Sequence, residues 1–256
     1  MSMESQGARA ISRRSVAAGA AWAVPVVTLA TAVPSYAASG CTNNTLYTLQ
    51  GTSGTTFTSL AQWSISPSSP PSGVTLTAAT ISNINSPSGG VSGVNNRYFY
   101  TNSTAAETNI GGVGLGSTAT WLSLNQGNTT STNGNGQTFT MTFSKPIYCA
   151  YFYVADVDGD SDSVGQYKDK VRATGFTAST VSPSSTISVS GDTATATTFT
   201  QLSASSSLGT VKFSYTGSAG LTSFTFSYTN NVATATPRPQ FVLVSPIYFK
   251  TSAACC

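Results

Sequence analysis

Residues 147–176 read IYCAYFYVADVDGDSDSVGQYKDKVRATGF. Residues 147–157 are almost all apolar or aromatic, which predicts a central β-strand that is buried on both faces. Residues 167–176 predict a returning strand, in which Asp169 and Val171 share one face because side chains alternate along a strand. The stretch therefore predicts two neighbouring strands joined by an acidic loop.

The chain on either side of this stretch alternates between short strands and turns. Residues 137–143 alternate Thr with Phe or Met, and Lys145-Pro146 predicts that this strand ends there. About a dozen such strands, separated by Gly-, Pro- and Ser-rich loops and without a helical period, predict an all-β protein. We expect residues 39–256 to form a single antiparallel two-sheet β-sandwich of the jelly-roll-like kind.

The composition argues against several functional classes. The chain of 256 residues has only 7% charged residues and contains no His. Without His, it has no Ser-His-Asp or Cys-His catalytic site and no His-containing metal site. The formal net charge is +3, and the part after residue 38 carries 8 basic against 7 acidic residues. This balance gives no electrostatic reason to expect binding to nucleic acid.

Residues 1–38 have the pattern of an export signal peptide. Three arginines supply a positive first part, residues 16–33 form an apolar segment of small side chains, and residues 35–38 offer a cleavage site. A transmembrane anchor is the alternative interpretation, but Pro25 interrupts the apolar segment. We expect cleavage, no stable membrane insertion afterwards, and a secreted or cell-surface location.

Two shorter patterns resemble known export signals. Residues 12–16, SRRSV, resemble a twin-arginine motif, which would direct an already folded protein across the membrane, although the expected Phe-Leu after Ser15 is missing. The general secretory route is the alternative. Residues 38–41, ASGC, resemble a lipoprotein processing site with Cys41 as the lipidated residue. The leader as a whole is similar to those of exported proteins from Gram-positive actinobacteria.

The cysteines predict disulfide bonds, as expected for an exported protein. Cys41, Cys149, Cys255 and Cys256 allow three connectivities. Since adjacent cysteines seldom bond to each other, we expect Cys41 and Cys149 each to bond to one of the two C-terminal cysteines. A terminal thiol left free for cross-linking and a metal site are the alternatives.

Five of the 8 acidic residues lie close together in the chain, at Asp156, Asp158, Asp160, Asp162 and Asp169. Like charges repel, so such a cluster needs solvent, basic neighbours or a bound cation. Counted from Asp158, four of them match the ligand positions 1, 3, 5 and 12 of an EF-hand loop. The expected Gly and Glu are replaced, and the flanks predict strands. The loop instead resembles the Asp-rich calcium loops between strands of bacterial surface proteins, and Ca²⁺ is the cofactor we expect.

A second geometry places three of these carboxylates at the open end of a hairpin. Asp156 and Asp158 point to the same side of the outgoing strand, and Asp169 returns opposite them. The patterns F-x-V-x-D-V-D at 152–158 and Y-x-D-x-V at 167–171 resemble a recurring β-sandwich module of secreted bacterial surface proteins. The alternative is a solvated acidic turn paired with surface cations, namely Lys168, Lys170 and Arg172.

Three classes of function remain open. A glycoside-active enzyme would need Glu107 paired with an Asp as acid and base. A carbohydrate-binding module would present exposed aromatic rings, for which the candidates are Trp63, Trp121, Tyr98 and Tyr100. We favour a non-catalytic, calcium-binding, secreted or cell-surface β-sandwich with a structural role or an adhesive interaction, whose partner is a surface or glycan ligand.

Overall fold

The computed structural model describes residues 45–55, 59–68, 73–84, 97–101, 109–115, 118–126, 136–161, 165–232 and 240–256. All of them belong to one compact unit, Asn43–Cys256. The predicted leader, residues 1–38, lies outside the described residues. In these ranges no helix is long and apolar enough to cross a membrane.

Strands and short 3₁₀ turns make up the regular structure of the described part. The strands are β1 (Tyr47–Gly51), β2 (Trp63–Ser66), β3 (Leu76–Ile84), β4 (Arg97–Thr101), β5 (Thr120–Gln126), β6 (Gly136–Ala155), β7 (Gly159–Ser161), β8 (Gln166–Ala173), β9 (Thr177–Thr180), β10 (Ile187–Ser190), β11 (Thr193–Ala196), β12 (Val211–Ser214), β13 (Leu221–Asn230), β14 (Gln240–Val244) and β15 (Ile247–Lys250). The 3₁₀ turns are Leu60–Gln62, Ile110–Gly112, Ser207–Gly209 and Ala253–Cys255.

The strand pairs are antiparallel and belong to one continuous network. A first group follows the order β10-β11-β8-β13-β6-β3, with β7 beside β8, and a second group joins β6 to β12, β14 and β15 and, through them, to β9, β5, β4, β1 and β2. The prediction of an antiparallel all-β protein is therefore confirmed. The division into two separate sheets stays a prediction, because β6 belongs to both groups.

The long strand β6 connects the two groups. Its first half pairs with β3 and β13, and its second half with β12, β14 and β15. The predicted end of the strand at Lys145-Pro146 is wrong, because the strand continues. Proline has no N–H for a ladder bond, and Pro146 has no register partner among the described strands: the pairing with β3 ends at Phe143, and the pairing with β13 passes from Thr142 to Ile147 across a register shift.

In the first half of β6 the odd-numbered residues face the core, whereas in the second half the even-numbered residues do. Phe139 and Met141 are buried in the first half, whereas Phe152 and Val154 are buried in the second. Cys149 lies between them with a φ of 46°, a value that non-glycine residues rarely adopt. This local irregularity turns Tyr151 away from the core. The predicted burial of residues 147–157 on both faces is therefore wrong for this half of β6, where the outward side chains are only half-buried.

The core is rich in aromatic rings that come from both groups of strands. Phe152 in β6 stacks on Phe213 in β12 at 5.2 Å between ring centroids. It also contacts Phe224 and Phe226 in β13 at 6.0 and 5.9 Å. These contacts pack the second half of β6 against the first group.

A disulfide joins the C-terminus to β6. Cys149 bonds to Cys256 across a sequence separation of 107 residues, with 5.6 Å between their Cα atoms. Cys255 is also disulfide-bonded. Cys41 lies outside the described residues.

Candidate functional site

Two of the five predicted calcium ligands lie against each other in the interior. Asp158 lies between β6 and β7, and Asp169 lies in β8. The backbone N–H of Asp158 donates to Asp169 Oδ2 at 3.1 Å, and the N–H of Asp169 donates to the carbonyl oxygen of Asp158 at 2.8 Å. Their exposed fractions are 2% and 0%. The structure thus places Asp169 opposite Asp158, as the hairpin geometry predicts.

Protein groups donate to every side-chain oxygen of this pair. The Tyr167 hydroxyl donates to Asp158 Oδ1 at 3.0 Å, and the backbone N–H of Leu202 donates to Oδ2 at 2.5 Å. The Tyr228 hydroxyl donates to Asp169 Oδ1 at 3.0 Å. The two carboxyl groups therefore join strands that are distant in sequence.

Burial makes ionisation of this pair unfavourable. Loss of solvent raises the pKa of Asp158 from its ordinary value of 3.8 to about 6. It also raises the pKa of Asp169 well above the ordinary value, and the neighbouring charges of Asp158 and Asp156 act in the same direction. The same burial, followed by these negative charges, raises the pKa values of Tyr167 and Tyr228, so both hydroxyls stay protonated donors.

The surface cations do not neutralise the pair. Lys168 Nζ donates to the carbonyl oxygen of Thr197 at 2.7 Å, and Arg172 pairs with Asp192 at 2.8 Å. The alternative of a solvated acidic turn is therefore wrong for Asp158 and Asp169.

The other predicted ligands are placed differently. Asp156 is buried, with a φ of 64°. Asp160 is half-buried, and its Oδ1 accepts a hydrogen bond from the N–H of Ser161 at 2.7 Å. Asp162 lies outside the described residues. In the part of the chain that can be described, no group of three or more His, Cys, Asp or Glu side chains is arranged to hold a metal ion. The calcium site stays a prediction.

The aromatic residues proposed for carbohydrate stacking do not form an exposed row where they can be described. Trp121 is fully buried in a small core with Ile110 and Leu243. Trp63 is half-buried and meets Phe99 edge-to-face at 5.0 Å. The side chains of Tyr98 and Tyr100 lie outside the described part, and so does Glu107.

A different set of rings lies on the outward side of the second half of β6. We call Tyr151, Tyr153, Tyr248 and Lys212 the tyrosine face. Tyr151 and Tyr248 stack at 5.0 Å with 17° between their planes, and Tyr153 meets Tyr151 edge-to-face at 6.0 Å. Lys212 Nζ lies 4.9 Å from the centroid of the Tyr151 ring. All four side chains are half-buried, so the rings combine a fixed position with partial access from solvent.

The tyrosine hydroxyls of this face stay neutral. Partial burial raises the pKa of Tyr151 and of Tyr153, and it raises the pKa of Tyr248 to about 12. Each hydroxyl can therefore both donate and accept a hydrogen bond. The sequence signal for this face was the spacing of two between Tyr151 and Tyr153, which puts both on one side of a strand.

Comparisons with known proteins place the chain in no family. No family model matches it, and no curated protein matches it. One solved structure, that of the glucan-binding protein C of Streptococcus mutans, which mediates sucrose-independent and sucrose-dependent adherence, aligns with 10% identity and a TM-score of 0.34. The alignment covers 70% of this chain and 53% of that chain, so this chain spans about half of its length. A similarity of this size supports no inference about function.

Proposed function

We propose that the protein is an exported, non-catalytic β-domain that binds a glycan through the tyrosine face. The observation that carries this proposal is the stacked pair Tyr151 and Tyr248, with Tyr153 and Lys212 beside it. The export pattern of residues 1–38 and the bond between Cys149 and Cys256 support a location outside the cytoplasm.

The chemistry of this face fits a sugar ring. A flat tyrosine ring can pack against the C–H groups on one side of a pyranose, while phenolic hydroxyls exchange hydrogen bonds with the sugar hydroxyls. Because the rings already contact each other, binding costs little side-chain entropy. In this proposal the two groups of strands form the two layers of a jelly-roll-like sandwich, and the tyrosine face is the outer side of one layer.

We expect Tyr151→Ala to weaken glycan binding by about thirtyfold, which corresponds to a hot-spot loss of about 2 kcal/mol. Tyr151 contacts all three other members of the face, so its removal separates them. The measurement is affinity electrophoresis of the purified protein in gels that contain soluble α-glucan, β-glucan, xylan or mannan, with pull-down on insoluble cellulose and chitin.

Two variants make this test specific. Tyr151→Phe keeps the ring and should retain most of the binding, because stacking persists without the hydroxyl. Phe241→Ala removes an aromatic ring that is 40% exposed on β14, outside the tyrosine face, and should bind like the wild type. Equal binding by Tyr151→Ala and the wild type, with unchanged melting temperatures, would contradict the proposal.

Calcium binding by the acidic loop is a second proposal. The observation that favours it is the pair of buried carboxyl groups, Asp158 and Asp169, which has no described basic partner. Carboxylate oxygens are the ligands that Ca²⁺ prefers, and Asp156, Asp160 and Asp162 belong to the same stretch of the sequence. The ion would offset the negative charge that burial makes unfavourable.

We expect Ca²⁺ to raise the melting temperature at neutral pH relative to the same protein in chelator, because a ligand that binds only the folded state stabilises it. The double variant Asp158→Ala with Asp169→Ala should lose this response. Asp192→Ala, which removes a carboxylate outside the loop, should keep it. The same melting temperature with Ca²⁺ and with chelator would exclude a calcium site.

A further inference from the structure

An apolar pocket opens beside β1, β2 and the start of β3, with a volume of about 440 Å³. Leu49 and Val74 are fully buried and form its deepest part. The other apolar lining residues are half-buried, namely Leu60, Trp63, Ile65 and Leu76. Among the described lining residues none carries a charged side chain, so the interior suits an apolar ligand group.

Trp63 forms one wall of the pocket, and its side chain is fixed by contact with Phe99. Trp63 pairs with Gly51 in the ladder between β2 and β1, and its ring meets Phe99 edge-to-face at 5.0 Å. A Cβ at Gly51 would lie 2.1 Å from the Phe99 ring, so this arrangement requires glycine there. The indole is therefore fixed in place before any ligand arrives, as in most ligand pockets.

A cationic group lies at the mouth of the pocket. Gly73 is a lining residue, and Lys145 Nζ would lie 3.5 Å from a Cβ at that position. Lys145 is exposed. Its neighbour Ser144 is tied to the rim, because the Ser144 N–H donates to the Thr75 carbonyl oxygen at 2.9 Å and the Thr75 N–H donates to Ser144 Oγ at 2.9 Å. The ammonium thus marks one end of an otherwise apolar space.

We propose that this pocket binds the alkyl chain of an anionic amphiphile, with the chain among the apolar side chains and the anionic head group near Lys145. A volume of about 440 Å³ lies within the range of about 300–1,000 Å³ that is usual for small-ligand pockets. Burial of the chain supplies the affinity, and the ammonium orients the head group. The site is separate from the tyrosine face and does not depend on glycan binding.

Trp63 provides a direct readout. In the purified mature protein, which begins after residue 38 and therefore lacks Trp22, ω-bromododecanoic acid should quench the fluorescence of Trp63, because bromine on the chain would lie against the indole. Trp63→Phe should lose this saturable quenching, although Trp121 remains, fully buried in a different cluster. Leu60→Asp places a charge in the pocket wall and should abolish the quenching of Trp63.

The matched control is Leu208→Asp, which makes the same change in another 3₁₀ turn, at a residue that is 44% exposed and not part of the lining. It should bind like the wild type. If Leu60→Asp does not fold, Ile65→Phe narrows the same pocket without adding charge and should weaken the binding. No saturable quenching of the wild type, or equal quenching in the wild type and a folded pocket variant, would overturn the proposal.

The head group can be tested separately. Lys145→Ala should weaken the binding of ω-bromododecanoic acid roughly two- to fivefold, the range of an exposed ion pair, and leave the binding of the neutral ω-bromododecanol unchanged. Equal loss for both ligands would overturn the role of Lys145.

Vesicles of phosphatidylglycerol with brominated acyl chains distinguish a membrane lipid from a soluble fatty acid as the source of the alkyl chain. Quenching by the vesicles assigns a membrane lipid, and quenching by the free acid alone assigns a soluble one.

Discussion

Phe152→Ala is expected to lower the free energy of unfolding by about 3–5 kcal/mol, the range for removing a buried aromatic side chain. Phe152 is fully buried in β6, stacks on Phe213 and meets Phe176 edge-to-face at 5.3 Å. It also contacts Phe224 and Phe226 of the other group of strands. Alanine therefore leaves a cavity where the two groups meet, and rings on several strands lose contacts.

Urea unfolding measures this effect as a lower midpoint with an unchanged slope. Phe199→Ala is the control, because Phe199 is 43% exposed and contacts mainly the Lys168 ammonium, at 4.2 Å. It should change the free energy of unfolding by no more than about 1 kcal/mol. A similar small change for Phe152→Ala would show that the rings around it do not form the core.

The alternation of residues in β8 predicts its two faces correctly. Asp169, Val171 and Ala173 are buried, whereas Lys168 is half-buried and Arg172 is exposed. The pattern is readable because the basic residues Lys168, Lys170 and Arg172 alternate with Tyr167, Val171 and Ala173; Asp169 is the exception, a carboxyl group on the buried face. Phe139 and Met141 in the first half of β6 follow the same rule.

The inward and outward faces of the second half of β6 could not be predicted from alternation. Tyrosine is compatible with either face of a strand, so a run that contains Tyr151 and Tyr153 shows no alternation. The positive φ of Cys149 shifts the inward face by one residue, and nothing in the local sequence indicates it. The tyrosine face was missed for these two reasons.

The sequence also predicts only part of the environment of Asp158 and Asp169. The hairpin geometry predicts that Asp158 and Asp169 lie together; in the structure Asp158 lies just before β7, which pairs with β8. The hairpin geometry does not predict that they are buried. Leu202 and Tyr228 supply two of the hydrogen-bond donors, and both lie far along the chain, where only the tertiary fold brings them to the pair.

Asp169→Ala is expected to lower the free energy of unfolding by about 2–4 kcal/mol at pH 5, because it leaves two buried hydrogen-bonding groups without their partner. These groups are the Tyr228 hydroxyl and the N–H of Asp158. At pH 5 the pKa of about 6 keeps most of Asp158 protonated in the folded protein, and burial shifts the pKa of Asp169 in the same direction, so the loss reports mainly hydrogen bonding. Urea unfolding in chelator is the measurement.

Asp169→Asn should behave differently. Its amide oxygen can accept from the Asp158 N–H, and its amide nitrogen can donate to the Tyr228 hydroxyl oxygen, so the variant imitates the protonated acid. At pH 5 we expect its free energy of unfolding to stay within about 1 kcal/mol of the wild type. At neutral pH in chelator it should exceed the wild type, because it has no buried charge to form.

The direction of the pH dependence of the free energy of unfolding follows from the pKa values of each carboxyl group in the unfolded and the folded protein. The unfolded chain releases the Asp158 proton near pH 3.8, whereas the folded protein holds it until about pH 6. Over that interval the folded state binds more protons, so the free energy of unfolding of the wild type falls by up to about 1.4 kcal/mol per pH unit for each such group. Burial raises the pKa of Asp169 in the same direction, so Asp169→Asn should show a shallower profile.

The effect of Ca²⁺ on this pH profile shows whether protons or Ca²⁺ offset the buried charge of Asp158 and Asp169. If protons alone offset the buried charge, the wild type loses stability as the pH rises from about 4 to about 6, with or without Ca²⁺. If Ca²⁺ replaces the protons, the loss appears only in chelator, and Asp169→Asn loses the response to the ion. A wild type that gains stability between pH 4 and 7 in chelator would contradict both, since it would show that the folded protein holds these carboxylates ionised at no cost.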